Sequence, residues 1–247
     1  MEAPGRPTPQ PERKEHPRFH DRTRDLPRHD TNPHLQAHYD MAPISIPAEA
    51  AWRHRGAWDQ VFGREAPLHV EIGSGNGFFL SELAARHPDW NVLGIEIRYK
   101  RVVLCAMKIE KAGLENARIA RYHAAFLDDL FEKGSIAGLY VNHPDPWPKE
   151  RHESKRLISS WFLHDVAAYL APGAHFRLKS DFRPNVDRVE ELLGSEPCSS
   201  LPLRITGRSD DLSKGDTPWP DDIVTNYQNK FLLKGEPVYG IAVEKSG

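Results

Sequence analysis

From residue 67 onward the chain alternates two spacings of apolar positions. Short apolar runs predict strands at "PLHVEIG" (67–73), "WNVLGIEI" (90–97), "ARIARYHA" (117–124), "IAGLYVNH" (136–143) and "AHFRLKSD" (174–181). Between them, apolar residues recurring at three and four predict helices over 78–88, 101–113, 155–173 and 184–194, the first stopped by Pro88 and the second by Gly113. A short helix is expected between the strands at 117–124 and 136–143. The closing stretches "VTNYQNKFLLKG" and "VYGIAVEK" read as strand-like, with 225–231 as an edge strand. Strands separated by helices imply an α/β fold: a doubly wound, mostly parallel Rossmann-like sheet with helices on both faces and an antiparallel C-terminal edge. In such sheets ligands sit beyond the carboxyl ends of the strands.

Those ends carry the polar residues that change the picture. "VEIGSGNGFFL" (70–80) puts Gly73, Gly75 and Gly77 between a strand and a helix, where a missing Cβ lets backbone approach a ligand. The spacing is G-x-G-x-G rather than the G-x-G-x-x-G of dinucleotide sites, and Glu71 inside the strand end would repel a pyrophosphate. It suits a cationic ligand, such as the ammonium and sulfonium of S-adenosyl-L-methionine. Glu96 ends the next strand, where a carboxylate accepts two ribose hydroxyls at once. After the fourth strand comes "HPDPWPKERHESKRL" (143–157). Pro144, Pro146 and Pro148 fix φ at three positions, so Asp145 is presented with little entropy left to lose. Lys149, Arg151, Lys155 and Arg156 outnumber Glu150 and Glu153, a local basic patch suited to a phosphate backbone. Asp181 closes "LKSD", and "TNYQ" (Thr225, Asn226, Tyr227, Gln228) offers hydroxyls, amides and an aromatic plane for a splayed base.

Composition bounds the rest. The 247 residues carry a net charge of -2, so no global basic field draws the chain to nucleic acid or lipid. Residues 1–40 hold seven prolines, five histidines, seven basic and seven acidic side chains and few large apolar groups. That composition predicts an unstructured tail over 1–45 and one folded domain over 46–247. Cys105 and Cys198 have no CxxC companion, which argues for a reducing compartment. No apolar run reaches membrane-spanning length and the N-terminus lacks a signal peptide's apolar core, so a soluble cytoplasmic protein, monomer or homodimer, is expected. His123, His143 and His152 lack any metal-ligand spacing, and no metal is expected. There is no G-x-S-x-G elbow for a hydrolase.

Taken together, "EIGSGNG", "GIEIRYKRV", "PDPWPKERHESKRL", "LKSDF" and "TNYQNKF", over about residues 52–242, resemble the bacterial tRNA (guanine-N7)-methyltransferase family. The resemblance implies a class I methyltransferase using S-adenosyl-L-methionine on a guanosine in the tRNA variable loop. It implies cofactor positions at Glu71, Glu96, His123, Ala124 and Asp145, with Asp145 also catalytic. It implies substrate positions at Lys149, Asp181 and Thr225 to Gln228, and RNA contacts from Arg151 to Arg156. The chain departs from the family pattern at His123, where Asp or Asn is usual, at Asn142 and His143, usually aromatic or apolar, and at Gln228, usually Glu. A same-fold methyltransferase with a non-RNA substrate, and a tRNA-binding homologue without catalysis, are the alternatives.

Overall fold

The computed structural model describes residues 24–215 and 217–247. Eight strands form one sheet: β1 (Ser45–Ile46), β2 (Leu68–Ile72), β3 (Asn91–Glu96), β4 (Ala117–Arg121), β5 (Ile136–Asn142), β6 (Leu170–Ser180), β7 (Leu203–Ser209) and β8 (Tyr239–Lys245). Their order is β1-β4-β3-β2-β5-β6-β8-β7. Strands β1 to β6 pair in parallel, and β8 pairs antiparallel with both β6 and β7. The expected mostly parallel sheet with an antiparallel C-terminal edge is therefore present.

Eight α-helices accompany the sheet among the described residues: α1 (Leu35–Asp40), α2 (Ala48–Arg53), α3 (Trp58–Phe62), α4 (Phe78–Arg86), α5 (Tyr99–Lys111), α6 (Ser160–Tyr169), α7 (Arg183–Leu193) and α8 (Asn226–Leu232). All five residues of β2 are buried. Because successive side chains point to opposite faces, Leu68, Val70 and Ile72 join one apolar cluster with Leu139, Phe162 and Phe176. His69 and Glu71 project to the other face, where α4, α5 and Tyr140 build a second cluster. A strand covered on both faces has room for Glu71 only as a buried carboxyl.

Three expectations need correction. The tail was expected to be unstructured to residue 45, yet residues 24–45 are folded. Leu26 N–H donates to Tyr99 Oη at 2.7 Å, His38 Nδ1 meets Ser45 Oγ at 2.6 Å, Arg121 reaches Asp25 at 3.3 Å, and β1 extends the sheet beside β4. Leu35 and His38 are buried by this packing, which a count of prolines and charges does not see. Residues 1–23 lie outside the described residues. The helix expected over 155–173 is shorter: Ser159 caps α6 through the Phe162 N–H, and Leu170 already belongs to β6, since Pro172 and Gly173 cannot continue a helix. Residues 225–231 form a helix rather than an edge strand, because Thr225 Oγ1 accepts the Gln228 N–H at 2.9 Å and opens α8.

Candidate active site

The carboxyl ends of β2 to β6 bring the sequence-derived candidates to one edge. In the turn after β2, Gly73, Gly75 and Gly77 all have positive φ, at 75°, 53° and 74°. Their surroundings differ. A Cβ on Gly73 would meet nothing within 4 Å, and on Gly75 only Gly73 O at 3.9 Å, so these two present bare backbone to open space. A Cβ on Gly77 would lie 2.5 Å from Cys105 Sγ, so Gly77 serves the close packing of α4 against α5 instead of facing the open edge.

Glu96 at the end of β3 is held in place by the backbone. Its Oε1 accepts from Ile97 N and Arg98 N at 2.8 and 2.9 Å, and Oε2 accepts from Gly75 N at 3.1 Å. The carboxylate thus fixes the glycine turn while remaining partly exposed. Glu71, one strand over, is almost fully buried. Asn142 Nδ2 donates to its Oε1 at 2.9 Å, but Oε2 is buried with no hydrogen-bond partner. Burial pushes its carboxyl up to about 7, against the Asn142 hydrogen bond and the charge of Lys179, while Ser74 Oγ donates to the Glu71 backbone O at 3.3 Å. A buried carboxylate oxygen without a donor is costly. It lies beside the open glycine turn. His123 and Ala124 follow β4 at the same edge, with His123 Nδ1 accepting from Ala125 N at 3.1 Å.

The proline-rich loop after β5 is stiff and unusual in backbone. His143 and Trp147 have positive φ, at 50° and 37°, which non-glycine residues rarely adopt. Pro144 O accepts from Asn185 Nδ2 on α7 at 3.2 Å, and Trp147 O accepts from Arg156 Nε at 3.1 Å. Lys155 Nζ sits 4.6 Å from the Trp147 ring centre. Asp145 is exposed between these anchors. The basic residues of the segment therefore divide: Arg156 braces the loop, whereas Lys149, Arg151 and Lys155 are exposed.

Beyond β6, Asp181 Oδ1 meets His143 Nδ1 at 3.0 Å. Burial alone would raise the Asp181 carboxyl; the imidazole hydrogen bond and charge reverse that and hold it below its ordinary value. The "TNYQ" residues separate in the same way as the basic ones. Asn226 and Tyr227 are exposed, while Thr225 is spent on capping α8. Gln228 is buried, its Oε1 accepting from Lys179 Nζ at 3.1 Å and its Nε2 facing Asp222 Oδ2 at 3.4 Å. Two residues that sequence reasoning left unassigned hold this corner together. Lys179 Nζ donates to Asp222 Oδ1 at 3.0 Å, to Ile223 O and to Gln228. Burial pulls the Lys179 ammonium below its ordinary value, against the attraction of Asp222. The signal for Lys179 was a lysine inside the apolar strand "FRLKS"; nothing local announced Asp222 as its partner. A cavity of about 120 Å³ lies behind them, bounded by Phe79, Trp90, Tyr140, Asn142, Lys179 and Trp219. Among the described residues no group of three or more His, Cys, Asp or Glu is placed to hold a metal ion, and no helix is long and apolar enough to cross a membrane.

Comparison with known proteins gives the family and the fold. A family profile described as "putative methyltransferase" matches residues 65–241. The tRNA (guanine-N(7)-)-methyltransferase of Bacillus velezensis is 36% identical over 213 residues, covering 86% of this chain and 93% of that protein. The Listeria monocytogenes protein of the same name is 37% identical over 185 residues, covering 75% and 83%. Among solved structures, the 16S rRNA methyltransferase KamB superposes with a TM-score of 0.56 at 18% identity over 78% of this chain and 94% of its own, a likeness of fold. With a matching profile over most of its length and relatives of this identity, the chain belongs to the tRNA (guanine-N7)-methyltransferase family.

Proposed function

We propose that this protein transfers a methyl group from S-adenosyl-L-methionine to N7 of a guanosine in the variable loop of tRNA. The observation that carries the reading is the bare, buried Oε2 of Glu71 beside the open backbone of Gly73 and Gly75. The residues present fit the cofactor: a carboxylate for its positive tail, Glu96 for ribose hydroxyls, and His123 with Ala124 at the adenine side. S-adenosyl-L-methionine supplies an electrophilic methyl on a sulfonium that departs as a neutral thioether. The relatives' names supply the acceptor, a guanine in tRNA.

Guanine N7 bears an exposed lone pair, so no side chain has to remove a proton before attack. The work of this chain is placement and charge. Aligned approach alone supplies several kcal/mol, up to about 7–11 in ideal cases. The proline-held loop, tied to α7 by Asn185 and to its own basic segment by Arg156, keeps Asp145 in one position without further ordering cost. Methylation leaves a cationic base, and the carboxylates of Asp145 and Asp181 favour that charge as it forms. Tyr227 offers a ring for stacking, and exposed Lys149 and Arg151 offer phosphate contacts. A cytoplasmic location belongs to the same reading, since that is where tRNA is. The test is incubation with labelled S-adenosyl-L-methionine and unmodified tRNA transcripts, followed by chemical cleavage at N7-methylguanosine. Label in a single variable-loop guanosine is expected; label on another atom, or none on tRNA, refutes the reading.

A further inference from the structure

We propose that His143 is a positioning residue that sets Asp181 and Tyr227 against the acceptor base. This deepens, and rests on, the guanine-N7 reading above. His143 bears two separate costs. Its backbone has φ of 50° without being glycine, and its ring, only 5% exposed, buries Nε2 with no hydrogen-bond partner. An apolar ring would fill the same space and leave no orphaned nitrogen.

What an apolar ring lacks is Nδ1–H. Asp181 is an acceptor, so Nδ1 carries the proton that joins them at 3.0 Å. One carboxylate oxygen is thereby fixed, which sets the direction in which the carboxylate meets a donor on the base. The opposite side of the imidazole fixes a second surface. Tyr227 meets it edge-on at 4.8 Å between ring centres, and Phe231 lies parallel to it at 6.1 Å. Burial, with the charges of Asp181 and Asp145 added to it, raises the Tyr227 hydroxyl above its ordinary value. One side chain therefore connects the start of the proline loop, the end of β6 and the exposed face of α8. These are the three segments that carry Asp145, Asp181 and Tyr227.

The test is steady-state methylation of tRNA by wild type, H143F, H143N, D181N and the H143F/D181N double variant, with cofactor dissociation constants measured alongside. H143F keeps an aromatic side chain against Tyr227 and Phe231, so the fold is retained. The expected result is a rise in KM for tRNA on the order of tenfold in H143F, with cofactor affinity unchanged. H143N, whose amide N–H can take the place of Nδ1–H, recovers most of the loss. H143F adds nothing in the D181N background. Wild-type KM in H143F, effects that multiply with D181N, or a parallel loss of cofactor affinity overturns the proposal. A wild type that methylates tRNA while H143F behaves identically removes this inference alone. A wild type that does not methylate tRNA removes the functional reading and this inference with it.

Discussion

Replacing Glu71 with Gln tests the electrostatic logic of the site from two directions. In the folded protein the carboxyl titrates near 7; in the unfolded chain it titrates near its ordinary 4.5. Below 4.5 it is protonated in both states and has no effect on stability. As pH rises from 4.5 to 7 the unfolded chain releases a proton that the folded protein keeps, so stability falls, and above 7 the loss levels off. At about 1.4 kcal/mol per unit the loss approaches 3 kcal/mol at pH 8 and is below about 1 kcal/mol at pH 5. Gln does not titrate. Any fixed cost of its unpaired amide is the same at both pH values and cancels. Between pH 5 and pH 8 the variant should therefore gain about 2–3 kcal/mol relative to wild type, measured by urea denaturation. Binding should move oppositely. Wild-type affinity for S-adenosyl-L-methionine should weaken by about tenfold from pH 8 to pH 6 as Glu71 takes up a proton, and the variant's should not. Running both proteins together cancels titration of the ligand itself. Parallel stability curves, or the same pH dependence of binding in both proteins, would refute the reasoning.

Three further outcomes follow from the geometry. Burial lowers His38 and His175 to about 4 and His69 to about 3, so their stabilising contribution is intact above about 6.5 and is lost as pH falls toward 4. In the Glu71→Gln background, which removes the opposing carboxyl, the unfolding free energy from urea denaturation should drop from pH 7 to pH 5 by about 1–2 kcal/mol per histidine; a flat unfolding free energy contradicts this. Gly77→Ala should cost about 2–4 kcal/mol, because its Cβ meets Cys105 at a positive φ. Gly73→Ala should cost only about 1–2 kcal/mol of stability but more in cofactor binding, and equal thermal losses would show that the two glycines do not differ. Asp145→Ala should lower kcat on the order of a hundredfold while cofactor dissociation stays within a few-fold. Equal losses would make Asp145 a cofactor ligand.

The sheet and the acidic edge were legible because they are written locally. Short apolar runs mark β2 to β6, and apolar residues recurring at three and four mark the helices between them. The glycine turn and the carboxylates follow strand ends, so parallel pairing alone carries Glu71, Glu96, Asp145 and Asp181 to one edge. What stayed hidden depends on contacts distant in sequence. The fold of residues 24–45 rests on Tyr99 and Arg121, and Lys179 has its partners 43 and 49 residues away. The helix at 226–232 was locally signalled, since Thr225-x-x-Gln228 is a capping-box spacing, although the segment reads as an edge strand. Gly77, Gln228 and Arg156 sit inside the right motifs, yet their neighbours show them bracing the site, a distinction that spacing does not carry.

The most direct test of the central claim replaces the nucleophilic atom itself. Transcripts of one tRNA are made with guanosine or with 7-deazaguanosine, in which a C–H stands in place of N7, and methyl transfer is followed in single turnover. The account predicts full incorporation into the guanosine transcript and none into the 7-deaza transcript, with tRNA binding preserved; equal incorporation into both would contradict it.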